Sequence, residues 1–412
     1  MAAHIYINLQ GKGFPLLIST TALTHLGTVY RCAKRSVEDD RMLELYSNTL
    51  KDTVIESTLE TIYSLFAGQW QQQEDIVDPF VDTRGKLINT VWVFDLNNDI
   101  LRFHKQDQYK LVSLRLLRRG PIAICDFELY RPPTQRQGFL PPSRASQCVM
   151  RRDGICKDRL ERHKALVHKI LADFAFQWRH VLSGQFSHST FRRLAYAIVK
   201  IATLDFQVEE ITTKRQGTGG FLVWLNNLPQ WEPFDGHIVR VGGVSLVLAQ
   251  HPCHAVHLIR QDFQQYRVSK PEDGMPMLKQ RTYLILSVRD VVLYRINSEN
   301  ERCTKSERLF DGALPPSGAA VDLLLEATLS VTPANTLREL PTELQENIVD
   351  SLATDPVERA RMRCIFDLGL PFTWRSGGRN IEREEGRRNR TSSSPVESHI
   401  YFGKGFRGVA YK

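Results

Sequence analysis

The chain has no apolar run near the ~20 residues that a helix needs to cross a bilayer. Its best stretch is Val244 to Ala249. No membrane partner is therefore expected. Met1 to Gly13 shows no basic segment leading into an apolar core, which predicts no cleaved secretory signal. Cysteine is sparse and scattered: Cys32, Cys125, Cys148, Cys156, Cys253, Cys303 and Cys364 contain no C-x-x-C pair, which points to reduced thiols in the cytosol or nucleus. Catalytic motifs are missing too. The sequence holds no Gly-x-Ser-x-Gly elbow and no His-Glu-x-x-His helix. Gly11-Lys12-Gly13 and Lys214 to Gly220 lack the Gly-Lys-Ser/Thr that would cradle a phosphate, so both read as flexible turns. No cofactor is expected and no catalytic residue can be named, although side chains that meet only in the fold leave no local spacing.

A large excess of one charge is absent as well. Lys and Arg number 54 against 46 Asp and Glu, a net charge of +8 over 412 residues. That is mildly basic and short of a protein that coats nucleic acid. The distribution is less even: residues 1 to 101 carry eight basic against 13 acidic groups, and residues 102 to 169 carry 16 against six. The basic middle supports two readings, phosphate-backbone contact by counterion release or an ordinary surface paired with the acidic front.

Periodicity supplies the elements. His4 to Leu9 alternates and leads through Gly11-Lys12-Gly13 to Phe14–Ile18, which predicts a hairpin followed by a helix over 21–32. Met42 to Phe66 has helical spacing and predicts an amphipathic pair, with a linker over 71–86. Thr90 to Leu96, Asn97-Asn98-Asp99 and Ile100 to Phe103 predict a second hairpin. Asp158–Trp178 and Phe191–Leu204 read as helices, the segments 221–225, 237–241, 244–248 and 255–259 as strands, Thr282 to Ile296 as two strands broken at Arg289-Asp290, and Val321–Thr328 as a helix. Helix and strand do not alternate regularly, so the predicted class is α+β, with mixed helices and antiparallel strands. The predicted parts are an N-terminal α/β segment over 1–70, an α+β body over 86–330, a helical module over 337–374 and a basic tail over 375–412. The first half of that tail is expected to be mobile, while Ile400-Tyr401-Phe402 and Val409-Ala410-Tyr411 are expected to dock as short strands.

His251-Pro252-Cys253-His254-Ala255-Val256-His257 contains metal-ligand side chains. In a strand, however, His254 and His257 would point to opposite faces, and no second Cys/His pair lies at finger spacing. A local histidine cluster with no shared role is the expectation.

The most informative stretch runs from Leu337 to Leu352. Pro341 suits a first helical turn, Glu343 suits its positive end, and Leu344, Ile348 and Leu352 recur every four residues. A second helix is predicted over Pro356–Ile365. This layout resembles an F-box, in which Leu-Pro-x-Glu opens a small helical module that docks on a Skp1-type linker of a ubiquitin ligase. Leu340, Pro341, Glu343, Leu344, Ile348, Leu352, Pro356, Arg361 and Cys364 fit that pattern, whereas Trp374 lies ten residues beyond Cys364 rather than beside it. The other reading is an amphipathic hairpin that closes the main domain. More widely, Trp92 to Leu96, Thr282 to Val292, Leu309 to Gly312 with Pro315-Pro316-Ser317, and Ser394 to Ser398 with Gly408 to Lys412 resemble a group of uncharacterised filamentous-fungal proteins. That resemblance implies a lineage and no activity. The opening strand and turn also resemble the start of BTB-type interaction domains.

Together these readings point to an interaction protein of the cytoplasm or nucleus. The F-box resemblance implies a Skp1-type partner held by Leu340, Pro341, Glu343, Leu344, Ile348 and Leu352, and an unknown client on the β-rich block from Gly219 to Ile296. A nucleic-acid or chromatin factor, and an enzyme or accessory protein of a fungal biosynthetic pathway with no local motif, are the alternatives.

Overall fold

The computed structural model describes residues 2–9, 28–35, 38–73, 88–105, 108–130, 146–147, 157–184, 186–211, 228–241, 243–269, 280–312, 314–329, 336–353, 355–370, 372–376, 378–383, 397–403 and 407–411. The fold is α+β. Two compact units emerge. The first comprises Met1–Arg136 with Arg179–Ser187 and Trp224–Asn226; the second comprises Gln137–Trp178, His188–Val223 and Asn227–Lys412.

In the first unit, strands β1 (Ala2–Leu9), β2 (Thr28–Arg35), β3 (Gln71–Gln73), β4 (Ile88–Asp95), β5 (Ile100–Lys105), β6 (Gln108–Ser113) and β7 (Glu128–Leu129) form one sheet in the order β3-β2-β1-β4-β5-β6-β7. Alternation sends Ile5, Ile7, Cys32, Trp92, Phe94, Leu101 and Phe103 into one core. Helices α1 (Asp39–Leu50) and α2 (Thr58–Leu65) add Met42, Leu43, Tyr46, Leu50, Leu59 and Ile62 to it. The Tyr46 ring meets Trp92 and Phe94 edge-on, at 5.4 and 4.9 Å between centroids. The predicted hairpin at Asn97 to Asp99 is present. Asp95 accepts from the Asn98 amide at 3.2 Å and pairs with Arg102, while Asp99 takes a positive φ. A further helix, α3 (Leu114–Arg119), brings Arg118 onto Asp99.

His104 on β5 gives this unit a pH dependence. Burial, and then the Arg102 guanidinium, push its imidazole down from 6.5 to about 4. A lowered folded value means that the stabilisation is complete above pH 6.5 and fades as the pH falls toward 4. By pH 4.5 the expected loss is about 2 kcal/mol. Urea unfolding of the parent and of His104→Leu at pH 7 and 4.5 checks this: the acid-induced drop should be smaller in the variant by that amount, and equal drops would show that the ring is not responsible.

In the second unit, β8 (Ser146–Gln147), β10 (Ile238–Val241), β11 (Val244–Leu248), β12 (Arg281–Leu286), β13 (Asp290–Ile296) and β14 (Glu301–Cys303) make a mixed sheet in the order β10-β11-β12-β13-β14-β8, with β15 (Glu307–Arg308) on β13. Val247, Tyr283, Ile285, Val292, Tyr294 and Ile296 face Ala255, Ile259 and Phe263 of α7 (Pro252–Ser269). Helix α8 (Gly318–Thr328), apolar nearly all round, packs on β12 and β13 and against α4 (Lys157–Gln177). After the four-residue α5 (Arg179–Leu182), which belongs to the first unit, α6 (His188–Ala202) also lies on α4. The predicted tail strands are β18 (Glu397–Tyr401) and β19 (Arg407–Tyr411), in a three-stranded sheet with β9 (Gln207–Ile211).

Four local expectations are corrected. Residues 255–259 are helical in α7, because Pro252 opens a helix and the parallel pair β11/β12 needs a crossover between its strands. Residues 28–32 belong to strand β2, not to a helix, and β2 with β4 occupies both edges of β1. Gln71–Gln73 of the predicted linker over 71–86 form strand β3 on β2, because the edge of β2 is open to pairing there. Phe14–Ile18, residues 21–27 of the predicted helix, 74–86 of the predicted linker and the predicted strand over 221–225 lie outside the described residues. The start of the tail is ordered: β16 (Arg375–Ser376) pairs with β17 (Arg379–Asn380), and Arg383 bonds buried Asp173 at 2.9 Å while stacking on Phe176. Residues 384–396 lie outside the described part.

Candidate functional site

The predicted helical module folds as two helices, α9 (Thr342–Leu352) and α10 (Pro356–Phe366). Pro341 takes the capping position one residue before the first helical residue, and its carbonyl accepts from the Leu344 and Gln345 amides at 3.0 and 3.1 Å. Glu343 lies exposed in the first turn, where its charge complements the helix dipole.

The two helices are used differently. In α10, Val357, Ala360 and Cys364 are buried, Asp355 caps the helix through the amides of Val357 and Glu358 at 2.8 and 2.9 Å, and Ser398 of β18 donates to the other Asp355 oxygen. Arg361 pairs with Glu358 and donates to the Leu204 carbonyl at 3.0 Å. These bonds tie α10 to the body of its unit. In α9 only Val349 is buried. Leu344 is 47% exposed and Leu352 53%, and together with Leu340, Ile348, Asn347 and Ser351 they line a shallow open groove. The predicted stripe thus faces outward, with Leu340 and Ile348 half-buried along it.

A polar latch aims this face. Gln345 accepts from the Gly369 amide at 2.8 Å and donates to the Leu340 carbonyl at 2.8 Å, while Glu346 accepts from the Leu370 amide at 2.6 Å and pairs with Arg363. Asp367 holds Arg162 of α4 at 2.9 Å and also pairs with Arg338. Gly369 sits at φ +69°, and a Cβ there would run into the Glu346 carboxylate. Gly369→Ala is therefore expected to cost about 1–3 kcal/mol and to raise amide exchange in α9 before α10. Hydrogen-exchange mass spectrometry checks this order; equal acceleration of both helices would contradict it.

The other predicted features are placed as follows. Trp374 packs on Tyr411 at 5.3 Å with the Lys169 ammonium over its ring. The basic middle is paired in part: Arg102 with Asp95, Lys105 with Asp39 and Arg118 with Asp99 in the first unit, and Arg162 with Asp367, Lys164 with Asp322 and Lys169 with Asp173 in the second. The acidic front thus meets the basic segment that follows it. The histidines of residues 251–257 lie at the start of α7, where His254 and His257 are one turn apart. Among the described residues, no three His, Cys, Asp or Glu side chains are arranged to hold a metal ion, and no helix is long and apolar enough to cross a membrane. Sequence spacing could not show that His188 and His237 join His254, because they are far apart in the chain.

No family model, no curated protein and no solved structure matches this chain.

Proposed function

We propose that the protein is an interaction adaptor whose α9 stripe docks on a Skp1-type linker in the manner of an F-box, with Leu344, Ile348 and Leu352 as the contact, Leu340 and Pro341 setting its entry and Glu343 at its edge. The observation that carries this reading is the outward stripe. A hairpin that merely closed its domain would bury those leucines, yet the side chain that α9 buries is Val349. The anchoring of α10 supports it further, because a docking helix gains affinity when its partner helix is already fixed. A client on the β-rich block after Gly219 completes the proposal.

The test is co-expression with a Skp1-type linker. Co-purification that is lost on Pro341→Ala plus Leu344→Ala supports the reading, and absence of the linker from the parent preparation sinks it.

A further inference from the structure

Five histidines gather on the second unit, away from the α9 stripe. His188 is the first residue of α6, His237 immediately precedes β10, and His254 lies in the first turn of α7. The His237 ring stands between the other two, its centroid 5.3 Å from that of His188 and 5.5 Å from that of His254. His251 and His257 act on His254 from the same end of α7. Arg192, one turn along α6, donates to the Phe234 carbonyl and, at 3.5 Å, to that of Gly236, so it fixes the segment that carries His237.

Basic groups lie close to these rings. Partial desolvation is the largest cause that lowers the His188 imidazole, followed by His237, Arg192 and His254; for His254 it is followed by His237, His257 and His251. Two carboxylates, Glu232 and Asp235, lie exposed on the segment leading to His237. The N-terminal ends of α6 and α7 add partial positive charge. In addition, Nδ1 of His237 is buried with no hydrogen-bond partner among the described residues. A metal dication suits this place poorly, because among the described residues no three His, Cys, Asp or Glu side chains are arranged to hold one and the helix ends and Arg192 would repel it. An anion is favoured by the imidazoles, by Arg192 and by the two helix ends.

We propose that His188, His237 and His254 form a binding site for a tetrahedral oxyanion of the sulfate and phosphate class. This inference is independent of the α9 stripe. A bound dianion favours the imidazolium form, so binding takes up protons and tightens as the pH falls. Sulfate is the suitable first probe, since its charge is constant from pH 5.5 to 8 and the pH dependence then reports the rings alone.

The experiment titrates the full-length protein with sulfate at pH 5.5 and 8, against chloride at matched ionic strength. The expected result is saturable binding, about tenfold tighter at pH 5.5 for each proton taken up over one pH unit of ring titration, and at least tenfold weaker in His188→Ala/His254→Ala. Both positions are exposed, and the double variant should melt in chloride at pH 5.5 no lower than the parent, because mutually repelling rings have been removed. Inorganic phosphate and a phosphoserine peptide, with its unphosphorylated form as control, then separate a free anion from one carried on a protein; tighter binding of either supports the site and identifies its source. No saturable sulfate binding, equal affinity in the double variant, tighter binding at pH 8, or uptake of zinc in place of sulfate would each overturn the proposal.

Discussion

Replacing Leu344 and Leu352 together by glutamate is expected to abolish capture of a Skp1-type linker while leaving the fold intact. Full burial of a leucine side chain is worth roughly 1.5–3 kcal/mol. About half of each is still exposed, at 47% and 53%, so docking stands to gain about 1 kcal/mol per leucine. A carboxylate forced into the same contact reverses the sign and adds a desolvation penalty. The combined loss exceeds a hundredfold in affinity. On the folding side both residues lie in an open groove, where substitutions change stability by only about 0.5 kcal/mol. Val349→Glu is the contrasting variant, since that side chain is fully buried, and it should unseat α9 altogether. Urea unfolding of the three proteins checks the pattern. A stability loss of about 2–5 kcal/mol in the Leu344/Leu352 variant would mean that the stripe is packed inside its own domain.

Phe174→Ala is the second large effect, expected to cost the second unit about 3–5 kcal/mol. Phe174 is fully buried on α4, and its ring lies 6.5 Å from Trp178, 5.6 Å from Trp231, 6.0 Å from Phe310 and 6.0 Å from Phe402. These partners come from four places in the sequence, so the cluster joins the long helix, the segment before β10, the approach to α8 and the tail strands. Trp231 and Phe402 also meet each other, at 5.2 Å. Deleting the shared ring leaves a cavity that such large rigid neighbours cannot close. Phe174→Leu should recover more than half of the loss. A cost below about 1 kcal/mol in the alanine variant, measured by urea unfolding followed through tryptophan fluorescence, would contradict the placement of this cluster at the centre of the unit.

What the sequence revealed follows from the range of the interactions involved. The hairpin at Asn97 to Asp99 was legible because turn chemistry and alternation are both local. So were α4, α6 and the break between β12 and β13, where a polar pair interrupts two apolar runs. The stripe of α9 was legible for the same reason, but its direction was not: periodicity shows that Leu344, Ile348 and Leu352 share a face, and only the fold shows that Val349 turns inward instead. Residues 255–259 misled because Ala-Val-His-Leu-Ile is too short to separate a strand from a buried helix. Adding Phe263 would have revealed spacing of four, and Pro252 a helix start. The gathering of His188, His237 and His254 was invisible in principle, since it depends on α6, β10 and α7 meeting in space. The pairing of Asp39, Asp95 and Asp99 with Lys105, Arg102 and Arg118 is similar: the charge blocks could be counted, but their cancellation needed the sheet.

The outward stripe of α9 is best tested by calorimetric titration of the purified full-length protein with a purified Skp1-type linker, for the parent and for Pro341→Ala/Leu344→Ala. The account predicts saturable one-to-one binding by the parent and at least a tenfold weakening in the variant, with both proteins equally folded by circular dichroism. Absence of binding by the folded parent, or equal affinity in the two proteins, would contradict it.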